Sequence, residues 1–245
     1  MYMSPINNRL LANLSEVELQ PLRARLSAVE LQAGIELHAA GAVLANVYFP
    51  VSATVSLTTA LRDGSSLEVA AVGNEGMVGV STFLGGGPAL GSAIVQSAGI
   101  ALRLPATALR EAARQSVSLG QQLMSYTQTL LAGMAQSTAC LRRHRLEQQL
   151  CRWLLVHLDR QCGNVIVATH DSIAQLLGVR REGVTAAALR LQQSGLIRYT
   201  RGRMELRDRA GLEARCCECY EAVRDTTLQP PIAQPSFAPM QRYGT

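Results

Sequence analysis

The stretch from Thr169 to Ile197 restricts the fold more than any other part of this chain, because two short helices can nestle together only where their side chains permit it. Such a pair needs a small residue at the helix contact, a residue tolerant of left-handed backbone in the turn, and apolar side chains at fixed inward positions. Ala174 and Gly178 supply the first two. Ile173, Leu177, Val179, Val184 and Ala187 fall at the inward positions, which leaves Arg180, Arg181, Glu182, Thr185, Ala186 and Leu189 on the outer face of the second helix. An arginine can bond a guanine edge bidentately and a carboxylate can accept from a cytosine amino group. That face therefore suits the major groove of duplex DNA, with Arg181 and Glu182 the first residues to reach base edges. Thr169 stands where its hydroxyl can cap the first helix while backbone amides approach a phosphate.

Gly195-Leu196-Ile197 then leads into Arg198-Tyr199-Thr200-Arg201-Gly202-Arg203-Met204-Glu205-Leu206, which reads as a strand, a tight turn and a second strand. This hairpin is expected to act as a wing. Arg201 and Arg203 flank its turn glycine and are placed to meet phosphates, setting affinity and salt dependence rather than sequence preference. A solvated helix carrying Arg-Arg-Glu is commonplace by itself; seven positional matches followed by a basic hairpin are harder to obtain by chance.

Charge is distributed in keeping with this. The chain has no lysine, so its 23 cationic side chains are all arginine. Residues 1–140 hold 7 Arg against 8 Asp and Glu, net −1, whereas residues 141–245 hold 16 against 10, net +6. The second half is the one suited to a polyanion. Neither a basic segment followed by an apolar one at Met1 to Asn13 nor an apolar run long enough for a membrane span is present, so the expected location is cytoplasmic with no membrane partner. Six cysteines, three of them crowded at Cys216, Cys217 and Cys219, do not make a spaced disulfide framework and are expected to be reduced thiols.

Upstream, Asn13 to Leu26 reads as an amphipathic helix opened by a capping box of Ser15 and Glu18. From Val29 to about Leu104 the pattern changes to short β-rich segments (Val43–Pro50, Thr54–Leu61, Leu67–Val72, Ala93–Gln96, Ile100–Leu104) separated by turns such as Arg62-Asp63-Gly64, which predicts a small antiparallel roll or barrel. After Pro105 helix formers dominate as far as Gln161. Met124, Thr127, Leu131, Met134, Thr138 and Leu141 recur at alternating steps of three and four, a stripe able to pair with its copy in a second subunit or to pack on the chain's own β-region. Met124, Thr127, Leu131, Met134 and Thr138 are the candidate dimer interface. His144 to Gln161 is expected to continue as helix, stopped by Gly163. Gln229–Thr245 holds four of the nine prolines and is expected to be a disordered tail.

Over nearly its whole length, from Asn8 to Arg224, the chain resembles the Crp/Fnr family of bacterial regulators. The resemblance rests on Val47-Tyr48-Phe49-Pro50, on Val69 to Gly79, on the Leu177-Gly178-Val179-Arg180-Arg181-Glu182 turn and on Cys217-Glu218-Cys219-Tyr220. It implies an α+β fold. An N-terminal antiparallel β-roll of the cyclic-nucleotide-binding type (8–115) would be followed by a long dimerisation helix (116–143), a C-terminal winged helix-turn-helix (144–228) and the tail (229–245). It also implies a transcription regulator binding a pseudo-palindromic promoter site as a homodimer, with double-stranded DNA and RNA polymerase as partners.

Departures from the family pattern bear on the effector. Members that bind cyclic AMP use a glutamate for the ribose and an arginine for the phosphate; by alignment Met77 stands in the glutamate position and Gly91, in Gly91-Ser92-Ala93, in the arginine position. Neither restores the missing charge, and a buried phosphate without one is costly. The expectation is an effector of unknown identity other than cyclic AMP, or constitutive activity, with Glu75, Met77, Gly91 and Ser92 as the candidate effector pocket. In the reading helix Ala186 stands where the family carries a second arginine, so the preferred DNA site should differ from the best-known one.

Other chemistries have weaker support. Gly85-Gly86-Gly87-Pro88 lacks the lysine of a phosphate-binding loop. A cupin-like metal enzyme on the β-roll would gather several histidines, whereas His38 is the sole one there, with Glu68 and Glu75. Cys216, Cys217 and Cys219 could bind a soft metal but lack a fourth ligand at familiar zinc spacing, so packing is the default and no catalytic residue, cofactor or metal is expected.

Overall fold

The computed structural model describes residues 7–161 and 163–228; the expected tail Gln229–Thr245 lies outside the described residues. The chain opens with one helical turn, α1 (Arg9–Ala12), and a second helix, α2 (Glu16–Arg23). The Ser15 hydroxyl accepts from the Glu18 amide and the Glu18 carboxylate accepts from the Ser15 amide, so the capping box forms as expected. The single helix read over Asn13 to Leu26 is shorter because Asn13 closes α1 and Ser15 restarts the helix. Buried Asn8 pins this segment to the β-domain, its side-chain amide donating to the carbonyls of Pro50 and Gly76 at 2.9 Å each.

Seven strands form two antiparallel sheets. One orders β1 (Ser27–Leu31), β7 (Gly99–Pro105) and β3 (Asn46–Pro50), with β7 in the middle. The other orders β2 (Glu36–His38), β6 (Ser92–Ser97), β4 (Thr54–Ala60) and β5 (Ser66–Val72). β3 starts at Asn46 rather than Val43, because residues before it leave the strand to pair a loop, Gly41 with Ala89 and Ala89 with Ala42. β1 and β2 are not among the segments expected from the sequence. Between the sheets Leu31, Val55, Val72, Val78, Ala93, Val95 and Ala101 are buried, closed on one side by Leu130 of the long helix. A second core joins α1 and α2 to Val47, Phe49, Met77, Leu102 and Leu104.

The helical stretch after Pro105 is three helices. α3 (Ala106–Gln115) ends at Ser116, whose hydroxyl accepts from the Leu119 amide to start α4 (Val117–Arg143). Extended backbone at His144 and Arg145 separates α4 from α5 (Leu146–Leu158), so helix does not run on through His144, and it stops short of Gln161. Leu119, Leu123, Thr127 and Leu130 of α4 are buried on the chain's own β-domain and Met134 packs there too. Thr127 donates its hydroxyl to the Leu123 carbonyl. The expected dimer stripe is thereby divided: Thr127 and Met134 face inward, Met124, Leu131 and Thr138 outward. The exposed line runs through Val117, Gln121, Met124, Gln128, Leu131, Ala135, Thr138 and Arg142, alternating steps of four and three.

After α5 come β8 (Val165–Val167), α6 (His170–Leu177), α7 (Arg181–Gln193), β9 (Ile197–Thr200), β10 (Arg203–Leu206), α8 (Arg209–Arg215) and α9 (Cys219–Leu228). The three strands order β8-β10-β9, and a third core gathers Leu150, Leu154, Ile166, Ile173, Val184, Leu191, Met204 and Leu212. Polar side chains tie this C-terminal unit to the roll. His157 Nε2 lies 3.1 Å from the Glu68 carboxylate, and Arg160 Nε donates to Glu75 Oε1 at 2.7 Å. No described helix is long and apolar enough to cross a membrane.

Candidate nucleic-acid interface

Thr169 caps α6: its hydroxyl accepts from the Ser172 amide at 3.0 Å, and its own amide donates to the Ser172 hydroxyl at 3.0 Å. Ser172 thus completes a short capping box in front of the pair. At the far end Gly178 adopts φ +65°, in the left-handed region where glycine has no steric penalty, and turns the chain into α7. Ala174, Ile173, Leu177, Val184 and Ala187 are buried between the helices, and Val179 packs beside them. Arg180, Arg181, Glu182, Thr185, Ala186 and Leu189 lie on the outer side, Arg180 to Glu182 at its leading end. The inside and outside of the helix pair follow the sequence pattern, with Ile173, Ala174, Leu177, Val184 and Ala187 sharing one buried core.

The wing turn, Arg201-Gly202, has φ +46° and +77°, the doubly left-handed two-residue turn whose twist matches paired antiparallel strands. The backbone bends back so that a side chain on Gly202 would come within 3.7 Å of the Thr169 methyl group. The α6 N-terminus and the wing therefore form one surface, with the start of α7 beside them. Arg201 and Arg203 are exposed on it.

A polar chain locks the three parts together. The His170 ring stacks on Tyr199 of β9 with centroids 4.0 Å apart, and His170 Nδ1 lies 3.0 Å from the Thr185 hydroxyl. That hydroxyl donates to the Arg181 carbonyl at 3.0 Å, so it accepts from the ring, which fixes the proton on Nδ1. Burial, and then the neighbouring Arg181 charge, hold His170 below the usual histidine range. Sequence reasoning did not single out His170 or Tyr199; a histidine directly after the helix cap and an aromatic in the wing strand were the available signals.

Some arginines of the C-terminal unit pair with carboxylates and others, Arg145, Arg152 and Arg198 among them, form no ion pair among the described residues. Arg160, Arg190, Arg207, Arg209 and Arg215 pair with carboxylates. Arg180, Arg181, Arg201 and Arg203, all on the helix-and-wing surface, form no ion pair among the described residues.

The residues named for an effector are not gathered. Met77 is fully buried in the core, and its carbonyl accepts from the Tyr126 hydroxyl at 2.9 Å. Gly91 lies so close to the Thr58 carbonyl that a Cβ would stand 2.4 Å from it, and the Ser92 hydroxyl accepts from the Ala40 amide. Glu75 borders a cavity of about 360 Å³ between β5, α4 and α5 that Glu68, Arg152, Trp153 and Arg160 also line. Tyr126, on α4, presses against Gly76, where a side chain would collide with its ring, so the turn of the roll that carries Glu75 and Met77 is covered from within. His38, Glu68 and Glu75 do not form a common metal-binding group: Glu68 is engaged by His157 and Ser56, and Glu75 by Arg160.

Comparison with known proteins gives two family matches: a cyclic nucleotide-binding domain over residues 28–116 and a Crp-like helix-turn-helix domain over residues 148–215. Among solved structures, the chain is similar to a Crp/Fnr-family protein from Eubacterium rectale at 16% identity and TM-score 0.65, covering 85% of this chain and 98% of that one. It is similar to a CRP/FNR-family transcriptional regulator from Thermus thermophilus at 23% identity and TM-score 0.62, covering 80% and 98%. FixK2 from Bradyrhizobium japonicum gives 19% identity and TM-score 0.63 over 78% and 98%. At these identities the solved structures speak for the fold. No curated protein was found to match the chain.

Proposed function

Because the chain belongs to the Crp/Fnr family of transcription regulators, with a roll of the cyclic-nucleotide-binding type ahead of a DNA-binding helix-turn-helix, we propose that a homodimer of it reads a pseudo-palindromic site in duplex DNA. In this reading Arg181 and Glu182 meet base edges in the major groove, with Arg180 and Thr185 beside them. Thr169, Arg201 and Arg203 meet phosphates. The observation that carries it is the gathering of Arg180, Arg181, Arg201 and Arg203, exposed and in no ion pair among the described residues, on the one surface made by the helix pair and the wing, as a polyanion-binding face requires. The exposed stripe of α4 supports pairing of two copies, and paired reading helices about one DNA turn apart fit a two-fold site. The effector is one other than cyclic AMP, or none, since Met77 and Gly91 replace the charged ligands and Tyr126 covers the adjoining turn. Regulation at the promoter through RNA polymerase, in the cytoplasm, completes the reading.

Selection of bound duplexes from a random pool, with and without cell extract, tests it. A two-fold-symmetric consensus is expected, and Arg181→Ala should lose it while Arg201→Ala weakens all sequences alike. Equal, sequence-blind weakening by both substitutions would remove the base-reading role. A change of consensus yield on adding extract would mark effector dependence.

A further inference from the structure

Four ligand-bearing side chains that are far apart in sequence converge where α4 meets the last two helices. Cys140 lies in the last turn of α4, and His144 caps the helix with its amide donating to the Cys140 carbonyl. Cys217 lies in the connection between α8 and α9, and Cys219 is the first residue of α9. Their ligand atoms all lie within 4.8 Å of one another. All three cysteines are buried, and His144 is half-buried.

We propose that Cys140, His144, Cys217 and Cys219 bind a single zinc ion in a tetrahedral three-sulfur, one-nitrogen site. A tetrahedral zinc with ordinary bond lengths separates two sulfur ligands by about 3.8 Å and a sulfur from a nitrogen by about 3.6 Å. Cys140 Sγ and Cys217 Sγ are 3.6 Å apart, and Cys219 Sγ and His144 Nδ1 are 3.5 Å apart. The second ring nitrogen, Nε2, lies 3.3 Å from the Glu218 carboxylate, the partner that orients a metal-bound imidazole and leaves Nδ1 as ligand. Gln136 donates its side-chain amide to Cys219 Sγ at 3.0 Å, a bond that favours a thiolate there.

A divalent ion bound here would displace the thiol protons and hold the cysteine ligands as thiolates. Soft thiolates select zinc over the hard alkaline-earth ions. An iron–sulfur cluster interposes sulfide and several irons between its ligands and holds them farther apart than the distances here allow. The ion would clamp the end of α4 to the final helices, across 77 positions of chain between Cys140 and Cys217.

Metal analysis of the full chain, purified with a thiol reductant and without chelator, tests the site. About one zinc per chain is expected, released by a mercurial thiol reagent. Replacement by cobalt should give the visible absorption of a tetrahedral thiolate complex. Cys217→Ser and His144→Gln should each lower the zinc content severalfold, and Cys151→Ser, an α5 thiol outside the set, should leave it unchanged. The wild-type cobalt spectrum needs no variant and decides the matter even if Cys217→Ser fails to fold. Zinc content near zero after incubation with zinc and dialysis, an octahedral cobalt spectrum, or recovery of Cys140 and Cys217 as a disulfide from protein isolated anaerobically would each overturn the proposal.

Discussion

Gly178 answers to two constraints at once. Its φ of +65° suits glycine, and the position a Cβ would take lies 2.4 Å from a methyl group of Leu67 on β5. Gly178→Ala should therefore cost about 1–2 kcal/mol from backbone strain, with a further loss from the Leu67 contact. Urea denaturation checks this: adding Leu67→Ala should return the contact part and leave the strain. The strain half was legible in the sequence, because a helix pair needs a left-handed turn; the Leu67 half was not, because it depends on how the roll docks. On the exposed side, Arg181 stands in the first turn of α7 with no ion pair among the described residues. Arg181→Ala should reduce affinity for the selected site tenfold to a hundredfold, about 1–3 kcal/mol, with little change on unrelated duplexes. Fluorescence anisotropy on both kinds of duplex at fixed salt separates the two. Met77 and Gly91 were legible only as missing charges. What fills the space instead, the Tyr126 ring against Gly76, required coordinates, since nothing in the spacing of residues 76 and 126 links them.

Among the elements, the capped ends of α2 and α6 and the two-residue wing turn follow from local rules and were readable. The linkage of α6, α7 and β9 through His170, Thr185 and Tyr199 joins residues 15 or more positions from His170 and was not. Its neutral ring gives a pH signature. Because burial and Arg181 lower the folded-state value of His170 below 6.5, its contribution to stability is complete above that pH. The contribution is lost as pH falls from 6.5 toward the lowered value. An NMR titration should place the His170 midpoint below 6.5, and Arg181→Ala should move it upward. For α4 the periodicity identified a stripe but not its direction. Packing on the roll takes Thr127 and Met134, leaving Met124, Leu131 and Thr138 outside. Leu131 is 59% exposed, and Leu131→Glu would set two carboxylates against each other across a two-fold seam. Sedimentation should then show a shift from dimer to monomer, with the fold of each subunit retained.

At the scale of the whole molecule, the order of roll, long helix and winged unit could be read from the sequence because each part has its own period and turn chemistry. How the parts are joined could not, because the joint brings together residues far apart in sequence: the polar pairs Glu68–His157 and Glu75–Arg160, each 85 or more positions apart, with Ala71 in the C-terminal core and Leu67 against Gly178. Glu68 and His157 are its buried centre, with the Glu68 side chain 8% exposed and that of His157 fully enclosed. Burial alone would raise the Glu68 carboxyl, but the facing His157, the Ser56 hydroxyl and Arg152 outweigh it, and the group is held below its usual value of 4.5. A carboxyl held low in the folded state adds stability that is present above pH 4.5 and disappears as pH falls through the folded-state value. The joint should therefore open in acid before either core unfolds, since those cores are apolar and do not titrate. Glu68→Gln should lower stability at neutral pH by about 1–3 kcal/mol, because His157 keeps its burial and loses its charged partner. The same substitution should flatten the acid dependence. Small-angle scattering from pH 7 to pH 3 provides the measurement: the wild type should expand below pH 4.5 as the winged unit leaves the roll, and the variant should be expanded already at neutral pH. A wild type that keeps its dimensions until both cores melt together would show that apolar contacts, and not the Glu68–His157 contact, hold the joint.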